Sequence, residues 1–436
     1  MNRTKELLAI LHEYEPAAIR FLPDIIWAKA DGYYVTDTDG VTRIDFSSGA
    51  LIANSGHNCK EIIDAIKAEL DTGIYTTYLF PNKPRCELLK TLAPLIPSGY
   101  QTALLNTGAE AVESSLKIAR IYAHKILKNK GIVVSFKNSY HGRMLGTTAI
   151  GGNESIKYWV PQEVSQALAV QVPFPTCPYE EREQHFSDFI TSIEKIHARV
   201  EDIAAVIIEP YQGGSCAFLT KEYVQGLRAW CDSHKILLIS DEVQSGMGRT
   251  GKLWGYEHFG IVPDIIAAGK GISSSLPVSA VIARKDLFDL CEVGNFNTTH
   301  SGHPVCAAAA NANVQYLIKH NVVENAQKVG QILEDSLASI KARYPWFVRY
   351  VLGKGLVAAI HLHQQFKPLL KAVVDRSIQN GLLLLSPGGI GGAVIKIAPP
   401  LIIDEKGVRE GCTIIEKSIR EIIAEHNLKG EEYAST

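Results

Sequence analysis

No apolar run in these 436 residues reaches the ~20 residues that a membrane span requires. A net charge of -2 supplies no basic field, which argues against nucleic acid or an anionic membrane as a partner. Residues 1–6 lack the apolar core of a signal peptide. The eight cysteines, at 59, 86, 177, 216, 231, 291, 306 and 412, include no CxxC pair. No disulfide framework is expected from them; reduced, mostly buried thiols in a cytoplasmic protein are. Internal repeats, low-complexity tracts and long linkers are also missing. What is present is an ordinary globular composition, 46% hydrophobic and 21% charged, in a chain too long for one simple core.

Residues 4–20 have the spacing of a short amphipathic helix. Residues 33–35 and 43–46 flank Asp37-Thr-Asp-Gly40, which reads as a hairpin with an Asp-Gly turn. Helical spacing covers 60–71 and 84–96. Strands are then expected at 102–106, 131–136, 203–208 and 236–240, alternating with helices at 109–127, 184–199 and 223–233. That alternation predicts an α/β fold whose large, mainly parallel sheet is covered on both faces. Residues 305–345 are mostly helical, and a mixed α+β pattern follows Gly353. The expected division is an N-terminal segment 1–50 packing with the small domain, a large cofactor-binding domain 51–310, and a smaller α+β domain 311–436.

Two residues carry the chemistry. Asp241 ends an apolar run, and Lys270 is boxed between Gly269 and Gly271. A carboxylate at a strand end and a glycine-flanked lysine are what pyridoxal phosphate chemistry requires. The lysine forms a Schiff base, and the carboxylate keeps the pyridine nitrogen protonated so that the ring accepts electrons. Asn106-Thr-Gly-Ala-Glu-Ala111 lies between a strand and a helix. Its free amides suit a phosphate, although taken alone the motif reads first as a plain N-cap at Thr107. Ser139-Tyr-His-Gly-Arg143 offers Tyr140 for stacking on a flat ring and Arg143 for clamping a carboxylate; the alternative is a loop with a buried tyrosine and a surface arginine. Glu209 stands at a strand's carboxyl end on the same edge as Asp241, where open α/β sheets bind ligands. Gln244 can donate to a phenolate oxygen.

Two patterns mislead. Gly246-Met-Gly-Arg-Thr-Gly-Lys252 satisfies GxxxxGK, but Leu253 stands where a P-loop needs Ser or Thr. His300 with His303, and His361 with His363, lack a third ligand at a recognisable spacing, so no metal site is expected.

Together these residues resemble the class III pyridoxal phosphate-dependent aminotransferases, from about residue 45 to about residue 403. The motifs are Asp45-Phe-Ser-Ser-Gly49, Ser55-Gly-His57, Thr107-Gly-Ala-Glu-Ala111, Tyr140-His-Gly-Arg143, Glu209-Pro210, Asp241-Glu-Val-Gln244, Gly248-Arg-Thr-Gly251, Pro263-Asp-Ile265, Gly269-Lys-Gly271 and Ala398-Pro-Pro-Leu401. The resemblance implies the type I pyridoxal phosphate fold and a homodimer with active sites at the interface. It implies transfer of an amino group from an ω-amine or amino acid to a 2-oxo acid. Lys270 would carry the cofactor and shuttle the proton, and Asp241 would pair with the pyridinium. Val243 would pack under the ring, Tyr140 above it, and Gln244 would reach the ring oxygen. Thr107, Gly108 and Ala109 would bind the phosphate, which Thr299 would reach from the partner subunit. Arg143 and Glu209 would face the substrate.

Lys396 stands where many relatives carry an arginine that grips an α-carboxylate. Lysine keeps the charge without the bidentate fork, which shifts weight from glutamate and 2-oxoglutarate towards pyruvate, alanine or an unusual acceptor. Gly271-Ile-Ser-Ser-Ser-Leu-Pro277 and Thr298-Thr-His-Ser-Gly-His-Pro304 look closer to the branch that includes dialkylglycine decarboxylase and the branched-chain amino acid epimerase. Racemisation and decarboxylating transamination therefore stand beside transamination.

Overall fold

A seven-stranded sheet stands at the centre of the computed structural model, which describes residues 3–19, 23–175, 185–196, 199–385 and 392–433. Cys177, and residues 184, 197 and 198 of the 184–199 helix expectation, lie outside the described residues. In spatial order the strands are Tyr100–Leu105, Ser279–Arg284, Ile265–Ala268, Leu237–Asp241, Ile203–Ile208, Ile132–Phe136 and Ala169–Val172. Ser279–Arg284 pairs antiparallel with both neighbours, and the other pairings are parallel. The mainly parallel sheet is as expected.

Its central strands are buried at every position because helices cover both faces. Ala205, Ile207, Leu237 and Ile239 pack with Val112, Leu116 and Ala119 of the helix Gly108–Tyr122. Val206, Ile208 and Leu238 face the other way, onto Phe189 and Ile193 of Phe186–Lys195 and onto Tyr223 and Leu227 of Lys221–His234. Two buried faces explain why these strands read as unbroken apolar runs. Each full burial of such a side chain stabilises by ~1.5–3 kcal/mol.

Two smaller sheets flank this one. Trp27–Asp31, Tyr34–Asp37 and Thr42–Asp45 form an antiparallel meander, and Leu382–Leu383 adds to it in parallel through Leu382 with Ile44 and Leu383 with Asp45. Val348–Lys354, Val357–Leu362 and Val394–Ile397 form an antiparallel sheet that packs with the helices Val322–Arg343 and Glu405–Glu425. Residue 310 lies inside the helix Pro304–Lys319, which packs on Lys60–Leu70 and Lys83–Leu92. The helix that backs the three-stranded sheet begins only at Val322. Apolar spacing shows that a segment is helical, not which core it joins.

The first helix is shorter than its spacing suggested, Arg3–Tyr14, because Pro16 follows. The helix expected over 109–127 is regular over Gly108–Tyr122, loosens to a π turn over Ala123–Leu127, and ends on Lys128 in the left-handed region. Among the described residues, no helix is long and apolar enough to cross a membrane, and the seven cysteines are free thiols.

Candidate active site

The carboxyl ends of the parallel strands meet at a cleft of about 470 Å³. Thr107, Gly108, Ala109, Tyr140, Arg143, Glu209, Asp241, Val243, Gln244 and Lys270 all line it. Ten positions spread over more than 160 residues of sequence thus converge on one space. Lys396 and Thr299 do not line it.

The helix Gly108–Tyr122 opens with a capping box. Thr107 Oγ1 accepts from the Glu110 amide at 3.2 Å, and the Glu110 carboxylate accepts from the amides of Asn106 and Thr107 at 2.9 and 2.8 Å. The amides of Gly108 and Ala109 are left without an acceptor among the described residues, at the positive end of the helix. A capping Thr107 and an open seat for an anion are therefore compatible at one helix start. Gly108 is required by space: a Cβ there would lie 2.6 Å from Val243 Cγ1.

Asp241 closes its strand with both oxygens engaged. Oδ1 accepts from the Val243 amide at 3.1 Å, and Oδ2 lies 2.7 Å from His141 Nδ1. A carboxylate only accepts, so Nδ1 carries the proton. Burial works to lower the His141 pKa, but the hydrogen bond and charge of Asp241, with the charge of Glu209, outweigh it and raise the pKa. Nε2 of His141 is buried with no partner. Sequence reasoning missed this histidine. It lay inside a quoted motif, but its partner is 100 residues away and no local spacing signals the pair.

Lys270 adopts φ 44°, a left-handed conformation uncommon outside glycine. Its amine has no hydrogen-bond partner among the described residues. Burial pulls its pKa down to about 8; the charge on Lys396 adds to this, and Asp241 and Glu209 oppose it. Glu209 is buried, with Oε2 accepting from the Tyr140 amide at 3.2 Å and Oε1 from Gly213 at 3.0 Å. Burial pushes its carboxyl up to about 7, against the pull of His141 and with a push from Asp241. Arg143 is exposed on the cleft wall, and its Nε donates to Tyr140 Oη at 3.3 Å.

Lys396 was expected to face a substrate carboxylate. Its ammonium is instead buried behind the wall, donating to Gly213 O at 2.5 Å and Gln244 Oε1 at 2.7 Å. Thr299 is exposed outside its own chain's cleft, next to Thr298, whose Oγ1 accepts from Asn106 Nδ2 at 3.0 Å.

A profile of the family described as Aminotransferase class-III matches residues 17–419. The chain belongs to the class III aminotransferases. The acetylornithine/succinyldiaminopimelate aminotransferase of Yersinia pestis is 31% identical to it, over 97% of this chain and 98% of that one. The 4-aminobutyrate aminotransferase GabT of Escherichia coli (strain K12) is 32% identical, over 97% and 99%. A Bacillus anthracis aminotransferase of solved structure superposes with a TM-score of 0.87 at 27% identity, covering 96% of this chain and 98% of that one. This class III aminotransferase is thus a pyridoxal phosphate-dependent transaminase that moves an amino group from an amine or amino acid to a 2-oxo acid. The relatives named here are all aminotransferases, and racemisation or decarboxylation is not favoured.

The cleft of this transaminase fits its cofactor. Two open amides at a helix start would hold the phosphate. Asp241, oriented by His141, would hold the protonated ring nitrogen. Val243 and Tyr140 line the walls, and the Lys270 amine would bond the carbonyl carbon. The misleading patterns resolve as packing. After Gly246 the backbone runs through turns to the 3-10 helix Gly255–Phe259, not into the long helix a P-loop opens. His361 Nε2 and His363 Nε2 bond the carbonyls of Ser215 and Pro345 at 2.7 and 3.0 Å. Among the described residues, no group of three or more His, Cys, Asp or Glu could hold a metal.

Proposed function

We propose that this transaminase takes a donor whose amine lies at the far end from a carboxylate, and a small 2-oxo acid as acceptor. One observation supports this most directly: the Lys270 amine and the Arg143 guanidinium line the same cleft, with Asp241 between strand end and His141. Arg143 anchors the carboxylate with its planar fork, and Lys270 handles the proton at the amine end. The relative named for 4-aminobutyrate, an acid with a terminal amine, lends support.

When bound, pyridoxal phosphate supplies the electron sink that absorbs the charge left by proton removal from carbon. The chain's own residues do the rest. Thr107 caps the helix so that the Gly108 and Ala109 amides grip the phosphate. Asp241 holds the ring-nitrogen proton, kept in place by His141 Nδ1 and the Val243 amide. Lys270, with a pKa of about 8, is roughly a tenth unprotonated at neutral pH and so both accepts and returns a proton. Glu209, its oxygens fixed by two backbone amides, lines the substrate's side of the cleft.

The working unit is a cytoplasmic homodimer. Ile74, Tyr75, Tyr78, Leu79 and Phe80 are exposed within one short segment, an apolar surface that a partner subunit would cover. Thr299 then completes the phosphate site of the other subunit. Each chain divides into an N-terminal segment 1–50, a large domain from residue 51 that extends past residue 310 to the end of Pro304–Lys319, and a small C-terminal domain.

The test adds 4-aminobutyrate, 5-aminovalerate, L-alanine and L-glutamate separately to the yellow holoenzyme without an oxo acid. Loss of colour with the ω-amino acids, restored by pyruvate, is the expected result. Colour that persists while a single amino acid is epimerised or loses carbon dioxide would overturn the proposal.

A further inference from the structure

The ammonium of Lys396 is held by two protein oxygens and lies over an aromatic ring. Gly213 O lies at 2.5 Å, Gln244 Oε1 at 2.7 Å, and the centroid of the Tyr211 ring at 5.5 Å. An ammonium only donates, so the Gln244 atom that faces it must be oxygen. One of the two orientations of the Gln244 amide is thereby removed. Its Nε2 turns the other way, and it donates to no described protein group although Gln244 lines the cleft. Gly213 completes the seat. A Cβ at Gly213 would lie 2.4 Å from Gln244 Nε2, so the amide can occupy this place only against a glycine.

We infer that Lys396 is a positioning residue: it fixes the Gln244 amide so that only N–H donors face the ring oxygen of the bound cofactor. A donor-only contact favours the ionised form of that oxygen. The inference rests on the reading of Gln244 as the group that reaches the ring oxygen. It also reassigns the departure from arginine at this position. Lys396 is buried, with two of its donors on Gly213 and Gln244, so carboxylate recognition falls to Arg143.

The test follows the pH midpoint of the holoenzyme's visible colour change, without substrate, in the wild type, Q244M, K396M, the double variant and G213A. Q244M is expected to raise the midpoint by about one to two pH units, the worth of one hydrogen bond to a charged group. K396M raises it by a similar amount when Gln244 is present, and by less than a third of that amount in the Q244M background. G213A keeps the charge of Lys396 but crowds Nε2, and it shifts the midpoint the same way. A Q244M midpoint equal to wild type sinks the reading of Gln244 itself. Equal K396M shifts in both backgrounds mean that the charge acts directly on the ring, and they overturn the positioning role. If K396M does not fold, G213A decides: an unchanged midpoint overturns the inference. Cofactor affinity of the apoproteins, by fluorescence titration, is the second readout and is expected to fall in parallel.

Discussion

Gly108→Ala tests how closely the helix start must approach the cleft wall. The new Cβ would lie 2.6 Å from Val243 Cγ1 and 3.1 Å from Cγ2. Carbon atoms rest at about 3.5–4.0 Å, so close to an ångström must be found. Two terms oppose each other. Alanine favours an interior helix position by ~1 kcal/mol over glycine, and by less in the first turn. Overpacking costs ~1–3 kcal/mol. The clash wins because Val243 cannot simply withdraw: its amide is tied to Asp241 Oδ1 at 3.1 Å. Relief moves either the two open amides or the wall residue, and both belong to the proposed cofactor seat. The affinity of the apoprotein for pyridoxal phosphate should therefore fall about 5- to 150-fold, the equivalent of that overpacking cost. Titration followed by intrinsic fluorescence measures it. Val243→Ala removes both γ carbons, so in that background Gly108→Ala should cost little. An unaltered affinity, or the same loss with and without Val243, would refute the steric account.

Other consequences can be measured directly. Lys270 has a folded pKa of about 8 against 10.5 unfolded, so between those values the unfolded apoprotein binds more protons and stability rises with pH; denaturant midpoints of the K270M apoprotein should lack that rise. Glu209 has the opposite sign. Its folded pKa of about 7 lies above 4.5, the folded state binds more protons between them, and stability falls as pH rises through that window; E209Q should abolish this fall. R143K keeps the charge but loses the fork, and should raise KM for the oxo acid by roughly 5- to 30-fold with kcat little changed. F80E places a charge on the most exposed aromatic of the 74–80 segment (74% exposed) and should convert the proposed dimer to a monomer in light scattering.

How much of this was legible depends on how far apart the cooperating residues lie. Ile203–Ile208 and residues 237–239 announce themselves because burial on both faces leaves only apolar residues there. Thr107 and Glu110 announce a helix start because a capping box is complete within four residues. Ala169–Val172 and Ile265–Ala268 have four residues each, too few for any period to emerge. Ser279–Arg284 takes its place by pairing with Tyr100–Leu105, far off in sequence. The pairing of His141 with Asp241, and that of Lys396 with Gln244, are likewise long-range. Each residue was visible, but the contact that defines its role was not.

Arg249 shows the same limit from the other direction. Its motif, Gly248-Arg-Thr-Gly251, mimicked half of a phosphate loop. The guanidinium is fully buried and donates to the carbonyls of Leu356 and Pro399 at 2.9 and 2.5 Å and to Asn54 Oδ1 at 2.7 Å. Burial lowers its pKa to about 10, so it stays charged at neutral pH with neutral oxygens as its hydrogen-bond partners. One side chain thus ties the chain around Asn54 and the C-terminal region to the loop that follows Asp241. The glycines serve that convergence. Gly248 and Gly251 have φ of 95° and 80°, and a Cβ on them would lie 3.1 Å from Leu401 Cδ1 and 3.0 Å from Gln327 Cα. Glycine spacing alone therefore cannot distinguish a loop that wraps a phosphate from one that lets three chain segments meet. What distinguishes them is the arginine, which is fully buried and turns its two terminal nitrogens inward onto protein oxygens.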